Sequence, residues 1–230
     1  VAVTKQLHQY LCKKLHEWTD PTKSIALEHY VAMVISRQEK NGFKLDEPNA
    51  VDLLNQLQGR MMDIESQLQA VFPPIVEERW CEKTGKRLKD KVTVFNVGSR
   101  KQIAERLQGL GVKFEKMTEK GSIIVDESVL AGIDLYEAKL INEYLMLQKR
   151  EGLVKSWLNA LKEDGRVHGR VISNGAVTGR MTHSSPNMGQ IPSVKSEYGK
   201  ECRALWTVEE GNVLVGCDLS GIELRCLAHY

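Results

Sequence analysis

A single carboxylate in this sequence stands where proteins commonly bind a cation. Asp218 directly follows Val213–Cys217, an apolar run that is short and β-branched enough to predict a buried strand. An acid on the last residue of a core strand points out of the sheet into a crevice, where metals and phosphates bind. Asp218 could instead cap the buried helix that Ile222 and the following apolar residues predict. The pattern alone leaves both roles open.

The composition limits the class of protein. With 230 residues and a mass of 26.0 kDa, the chain can form one large or two small domains. Its formal net charge of +2 is not that of a strongly basic nucleic-acid binder, so any such contact must come from local placement of charge. Five cysteines without a paired framework, no signal peptide and no apolar run of membrane-spanning length predict a cytoplasmic protein.

Two long stretches carry apolar residues at alternating steps of three and four, the spacing of a coiled-coil seam. Two such helices in one chain most simply pack as an antiparallel hairpin. Glu151 interrupts the second seam, and an ordinary helix pair in an unrelated α-rich protein would give the same pattern. The seam residues are Leu54, Leu57, Met61, Ile64, Leu68 and Val71, and Leu140, Tyr144, Leu147, Val154, Leu158 and Leu161.

The remaining histidine and cysteine patterns predict no metal site. His8, Cys12 and His16 recur every four residues on a predicted first helix, but three ligands spread over two turns cannot close a tetrahedron. The segment Trp80–Lys86 looks like half a zinc knuckle, yet no second cysteine pair follows it. A β-turn is the better interpretation of that segment.

Two motifs resemble those of one enzyme family. Asp218–Arg225 reads D-L-S-G-I-E-L-R. It resembles motif A of family A DNA polymerases, which is D-Y-S-Q-I-E-L-R in bacteria and D-A-S-G-L-E-L-R in T7-like phages. Thr178–Pro192 is similar to the family pattern T-G-R-x-[ST]-x-x-x-P-N-x-x-x-I-P. Because both motifs occur in the right order and at a family-like separation, the chain is identified as part of such a polymerase, closest to the phage form.

The resemblance implies a mixed α/β, multi-domain fold. Residues 1–20 would be the last helix of a 3′–5′ exonuclease-like domain, and residues 21–45 a connector. Residues 46–164 would form an α-helical thumb built on the long-helix hairpin, and residues 165–230 the first part of an α+β palm. The fingers and the rest of the palm would lie outside this sequence. We therefore expect a piece of a longer polypeptide, poorly stable alone because its palm strand lacks sheet neighbours.

The resemblance also assigns the chemistry. Asp218 would bridge two Mg²⁺ ions, and the backbone carbonyl of Leu219 would supply another oxygen ligand. Glu223 would contact a tyrosine of the fingers and help to exclude ribonucleotides. One carboxylate cannot hold two metal ions, so the second acidic ligand is expected outside this chain, which should be inactive alone.

Contacts with primer–template DNA are implied for a further set of residues. Arg180 and Gln190 would reach into the minor groove, where acceptors occupy similar places in every base pair and pair geometry can be tested without reading sequence. Backbone contacts are expected in the thumb from Ser99, Arg100 and Lys120, and before motif A from Lys195 and Arg203.

The partners implied are primer–template DNA and a dNTP, with no membrane. T7-like phage polymerases carry a long thumb insert that recruits thioredoxin, but the connector from Phe72 to Phe95 is too short for most of it, so we do not expect thioredoxin here. If the source is a phage, the location is the host cytoplasm. The alternative is a non-catalytic DNA-binding or helical scaffold protein. An extension beyond Tyr230 into a lysine-bearing helix and an H-D-E motif would favour the polymerase.

Overall fold

The computed structural model describes residues 2–18, 20, 22–119 and 121–229. The chain forms two compact units, Val1–Glu47 with Ala160–Tyr230, and Pro48–Asn159. The predicted division into four segments stays a prediction. In chain order the elements are α1 Ala2–Trp18, α2 Thr22–Asn41, β1 Phe43–Leu45, α3 Glu47–Val71, β2 Ile75–Trp80, β3 Arg87–Thr93, α4 Arg100–Gly109, α5 Glu127–Ala131, α6 Tyr136–Ala160, β4 Arg166–Val167, β5 Arg170–Ile172, β6 Thr182–Ser184, a 3₁₀ helix Met188–Gln190, α7 Gly199–Ala204, β7 Trp206–Thr207 and α8 Ile222–His229.

The two 25-residue helices α3 and α6 form the antiparallel hairpin that the seam spacing predicts. Side-chain contacts join them, and from Gln58–Glu151 to Gln67–Tyr136 residue numbers rise along α3 while they fall overall along α6. Arg60 makes two hydrogen bonds to Glu143, of 2.7 and 2.9 Å, which is the strong fork geometry of a guanidinium and a carboxylate. The four pairs are Gln58–Glu151, Arg60–Glu143, Glu65–Tyr144 and Gln67–Tyr136.

Glu151, the polar residue in the predicted seam, is accommodated by local partners. Its carboxylate accepts a hydrogen bond of 3.0 Å from Gln58 Nε2 on the facing helix and pairs with Lys155 one turn along. Burial raises the pKa of Glu151, but the hydrogen bonds from Lys155 and Gln58 outweigh burial and leave that pKa below its ordinary value. The acid therefore remains charged inside a mostly apolar interface.

The core of this unit is broader than the predicted seam. Helix α6 buries Ala138, Ile141 and Leu145 as well as four of its seam positions, and Trp157 is fully buried although the seam does not include it. Helices α4 and α5 also bury apolar residues, including Leu107 and Leu130. Not every predicted seam position is buried. Val71 is exposed, so its prediction was wrong, and four further seam residues are only half-buried: Leu54, Met61, Leu158 and Leu161.

Strands β2 and β3 form a β-hairpin within the connector from Phe72 to Phe95. Its strands pair from Ile75 opposite Thr93 to Trp80 opposite Arg87. The turn between them is closed by a 2.9 Å bond from Cys81 N–H to the Lys86 carbonyl, and Gly85 takes a positive φ of 63°. The predicted β-turn at Trp80–Lys86 is thus confirmed, whereas the strands on either side were not predicted.

The other unit contains a three-stranded antiparallel sheet in the order β4-β1-β7. Helix α2 leads into it and ends at Asn41, and the following Gly42 has a φ of +62°, the left-handed conformation that commonly ends a helix. Just before α2, Asp20 accepts a 3.1 Å hydrogen bond from Thr22 N–H. Pro21 lies outside the described residues.

The predicted buried strand Val213–Cys217 is not formed, and this prediction was wrong. Val213 and Val215 are 81% and 87% exposed, and no described residue pairs with this segment. A strand requires hydrogen-bonded neighbours, which an apolar composition alone does not supply. Helix α8 forms where it was predicted, but all of its described residues are exposed rather than buried. None of the helices among residues 2–18, 22–119 and 121–229 has the length and apolar character needed to cross a membrane.

Candidate active site and nucleic-acid interface

Asp218 lies in the irregular segment that joins β7 to α8, with its side chain exposed. Within the described part of the chain no hydrogen bond or ion pair occupies that carboxylate, so the capping role left open by the sequence has no contact to support it. Four residues later α8 begins, and its start is fixed by Arg225, whose Nε donates to the Ser220 carbonyl at 3.1 Å. Gly221, with a φ of +63°, makes the turn between Asp218 and the helix.

The T-G-R residues lie in the loop of a second hairpin. Strands β5 and β6 pair in register, with Ile172 opposite Thr182, and residues 173–181 connect them. The loop is closed by hydrogen bonds from Ala176 N–H to the Arg180 carbonyl, 3.1 Å, and from Gly179 N–H back to the Ala176 carbonyl, 2.9 Å. A Cβ at Gly175 would lie only 1.9 Å from Thr182 Oγ1. The loop that presents Arg180 therefore has little room to vary.

The two sequence motifs meet through one ion pair. Arg180 Nη2 lies 2.9 Å from Glu223 Oε1, and the two side chains are 76% and 81% exposed. An exposed pair of this kind contributes at most about 1 kcal/mol, so it orients the two groups without holding them permanently. This contact could not be predicted from the sequence, because its partners lie 43 positions apart and neither residue belongs to a periodic pattern.

Gln190 and Arg203 are joined through the I-P turn. Asn187 caps the 3₁₀ helix by accepting a 3.0 Å hydrogen bond from Gly189 N–H, and Gln190 ends that helix with an exposed side chain. Arg203, predicted as a DNA or phosphate contact, donates from Nε to the Pro192 carbonyl at 2.7 Å. Part of its guanidinium is thus used to hold the loop that carries Gln190. Lys195 lies exposed in the turn that follows.

The predicted thumb contacts belong to the other unit, and two of them have structural partners. Ser99 is the N-cap of α4 and accepts from Gln102 N–H at 3.5 Å. Arg100 is exposed, yet its Nη1 donates to the Val125 carbonyl. Lys120 lies outside the described residues. These partners do not conflict with DNA binding, since Arg100 keeps further N–H donors.

The donor atoms at Asp218 fit a hard divalent cation only in part. A carboxylate and a backbone carbonyl such as that of Leu219 are the oxygen ligands that Mg²⁺ prefers. No group of three or more acidic, histidine or cysteine side chains that could hold a metal occurs among residues 2–18, 20, 22–119 and 121–229. A divalent cation bound at Asp218 would therefore need further ligands besides those that the described residues offer.

A comparison with protein-family models decides the family. The model for DNA polymerase family A matches residues 76–230. The chain belongs to this family. The family A identification made from the two motifs is confirmed, as is the similarity to phage enzymes. The DNA-directed DNA polymerase of Escherichia phage T7 is 34% identical over 281 residues, which cover 93% of this chain and 40% of the phage protein. The enzyme of Enterobacteria phage T3 gives the same values of identity and coverage.

More distant family A relatives agree. DNA polymerase I of Caldicellulosiruptor bescii is 30% identical over 210 residues, covering 88% of this chain and 22% of that protein. Among solved structures, the POL domain of Pol1 from M. smegmatis in complex with DNA primer-template and dNTP has a TM-score of 0.65 at 21% identity. It covers 78% of this chain and 29% of that one, and it supports the mixed helix-and-sheet fold. The chain spans about 40% of the length of its phage relatives.

Proposed function

We propose that this family A chain supplies the thumb and the first part of the palm of a phage-type DNA-directed DNA polymerase. The polymerase would add dNMP to a primer 3′ end on a template. The observation that carries the proposal is the 2.9 Å contact between Arg180 of the T-G-R loop and Glu223 of motif A, with Asp218 exposed in the same motif. Residues 1–20 would end an exonuclease-like domain, 21–45 would connect it, 46–164 would be the thumb and 165–230 the palm portion.

Asp218 and the backbone carbonyl of Leu219 would hold Mg²⁺, with a second carboxylate coming from residues outside this chain. Bound there, two Mg²⁺ ions would neutralise charge on the phosphates and on the attacking and leaving oxygens. The exposed position of Asp218 leaves its carboxylate available for that role. The isolated chain, with one such acid, would not polymerise.

The remaining site residues would position the nucleic acid and the nucleotide. Arg180 and Gln190, both exposed, would donate to minor-groove acceptors of the primer terminus, and Glu223 would bear on the sugar of the incoming dNTP. Phosphate contacts would come from Lys195 and Arg203 in the palm portion and from Ser99, Arg100 and Lys120 in the thumb. Because Arg203 also holds the Pro192 carbonyl, it would act partly by fixing the loop of Gln190.

The length of the connector from Phe72 to Phe95 bears on whether thioredoxin is a partner. The alignment with the phage T7 enzyme extends over 281 residues, more than the length of this chain, so the relative has additional residues within the aligned span. Between Phe72 and Phe95 this chain has only the β2–β3 hairpin. We therefore propose primer–template DNA and dNTP as partners, without thioredoxin, and the host cytoplasm as the location.

Primer extension by a polymerase-length polypeptide that carries this sequence tests the proposal. Asp218→Ala should lower the extension rate at saturating Mg²⁺ and dNTP by about 10³-fold or more, because a metal ligand contributes several kcal/mol to stabilising charge in the transition state. Primer–template affinity should stay within a few-fold. The matched control is Glu210→Gln, an exposed acid eight residues earlier, which should extend normally. If Asp218→Ala extends as fast as the control, motif A is not catalytic and a DNA-binding scaffold becomes the better account.

A further inference from the structure

The β2–β3 hairpin is the element that the proposed function leaves without a role. None of its strand residues is buried. Val76 pairs directly with Val92, and beyond a bulge in β2 Trp80 lies opposite Arg87. The side chains of Val76, Val92 and Trp80 are each 58% exposed. A two-stranded hairpin with both faces in solvent is marginally stable, so a partner that covers one face would stabilise it.

The charges of the hairpin are unevenly matched. The hairpin contains six lysine and arginine residues and four acidic residues. Arg87 forms ion pairs with Glu78 and Asp90, at 3.5 and 3.1 Å, and Lys91 forms one with Glu77 at 3.0 Å. Four exposed cations are left against the single acid Glu82, and no ion pair within the described residues involves them. They are Arg79, Lys83, Lys86 and Lys89.

These cations are concentrated at the turn end of the hairpin, beside Trp80. The turn is well defined, because Cys81 N–H bonds to the Lys86 carbonyl and Thr84 N–H bonds back to the Cys81 carbonyl at 3.3 Å. Hydrogen bonds from the Thr84 side chain and from the backbone of Lys83 and Thr84 also lower the pKa of the Cys81 thiol. The turn thus holds its lysines on a fixed frame rather than on a loose loop.

We infer that the turn end of the β2–β3 hairpin binds the phosphate backbone of DNA. Lysine and arginine bind phosphates without reading sequence, and an exposed indole can stack on a base or donate its N–H to a phosphate oxygen. A surplus of unpaired cations around one exposed tryptophan is complementary to that polyanion. The inference depends on the proposed function only for the choice of DNA over RNA. It adds Lys83, Lys86, Lys89, Arg79 and Trp80 to the expected contacts.

The salt dependence of binding tests this contact. We would measure the affinity of the chain for a primer–template duplex by fluorescence anisotropy across a series of salt concentrations, without nucleotide or divalent metal. The triple variant Lys83→Gln, Lys86→Gln, Lys89→Gln should lower the slope of log affinity against log salt by roughly 2 to 3, since each lost phosphate contact removes about 0.9. The triple Lys→Arg variant at the same positions should keep the wild-type slope.

A matched control shows whether the slope depends on the position of the lysines or only on the total charge of the chain. Lys5, Lys13 and Lys23 are exposed lysines of α1 and α2, and changing all three to Gln removes the same charge elsewhere. This control should keep the wild-type slope. Trp80→Ala should weaken binding by about 5- to 150-fold if the indole stacks on a base, with the slope unchanged.

An unchanged slope in the hairpin Gln variant, or an equal fall in the control, would overturn the inference, as would a wild-type chain that does not bind DNA at low salt. Because no nucleotide is added, the outcome is separate from that of primer extension. An active polymerase with an unaffected hairpin variant rejects only the hairpin contact. A hairpin-dependent slope with no extension rejects only the polymerase.

Discussion

At the scale of single residues, two glycines differ in how much space the structure leaves for a side chain. Gly175 begins the T-G-R loop, and a methyl group there would lie 1.9 Å from Thr182 Oγ1 and 2.8 Å from Thr182 Cβ. Gly152, in the middle of α6, has no atom within 4 Å of the position a Cβ would take. The same substitution should therefore have opposite effects at the two positions.

We expect Gly175→Ala to lower the free energy of unfolding by about 1–3 kcal/mol, because Thr182 and the loop must shift to relieve the overlap. Gly152→Ala should raise it by up to about 1 kcal/mol, since alanine loses less backbone entropy than glycine in a helix. Thermal unfolding followed by circular dichroism measures both. A Gly175→Ala variant as stable as the wild type would show that the loop is not closed as described.

At the scale of elements, the α3–α6 hairpin carries polar groups inside its interface, and these make its stability depend on pH. Tyr144 is buried, and its hydroxyl donates to Glu65 at 3.2 Å. Burial, together with the charge of Glu65 and this hydrogen bond, raises the pKa of Tyr144 to about 12 from an ordinary 10.0. The folded chain therefore keeps the phenol proton at pH values where the unfolded chain has lost it.

The sign of the effect follows from proton binding. Between pH 10 and 12 the folded state binds more protons than the unfolded state, so the free energy of unfolding should fall as pH rises through this range. Below pH 10 the contribution of Tyr144 is constant. Urea titrations between pH 9 and 12 should show the fall in the wild type and a smaller one in Tyr144→Phe. Tyr30→Phe, at a residue 63% exposed, is the control and should behave as the wild type. Equal slopes in all three proteins would contradict the assignment.

At the scale of the whole chain, the segment from Val213 to Leu227 exposes more apolar surface than a free surface normally carries. Val213, Val215, Leu224 and Leu227 are each at least 72% exposed. Surfaces of this kind associate with other apolar surfaces. In the isolated chain we expect concentration-dependent self-association, measured by sedimentation velocity.

The double variant Val213→Lys, Val215→Lys should reduce that self-association, because it places two like charges on the associating surface. Val194→Lys, at a valine 53% exposed outside the segment, adds a charge without touching this surface and should leave the association as it was. A monomeric wild-type chain at all concentrations, or equal effects of both changes, would count against the segment as the site of contact.

Sequence reasoning succeeded where the deciding interactions are local or periodic. The seam spacing predicted the long helices and their antiparallel pairing, and the turn predicted at Trp80–Lys86 is present. Motif letters were sufficient to place the chain in its family. It failed where distant residues decide. Val213–Cys217 has strand composition but no neighbour among the described residues with which to pair, and Trp157 is buried although it lies outside the seam pattern. The Arg180–Glu223 contact likewise depends on how a loop and a helix far apart in the sequence come together.

The sheet strands β1 and β4 have one more consequence. Leu45 N–H donates to the Gly165 carbonyl at 3.2 Å, and Phe43 lies opposite Val167. The chain thus leaves the sheet after β1 and re-enters it at the adjacent strand β4, so Pro48–Asn159 is inserted between two neighbouring strands, about 5 Å apart. Residues can be gained or lost within such an insertion while the parent sheet keeps its register. This topology gives evolution a position at which to lengthen or shorten Pro48–Asn159 while the pairing of β1 with β4 stays intact.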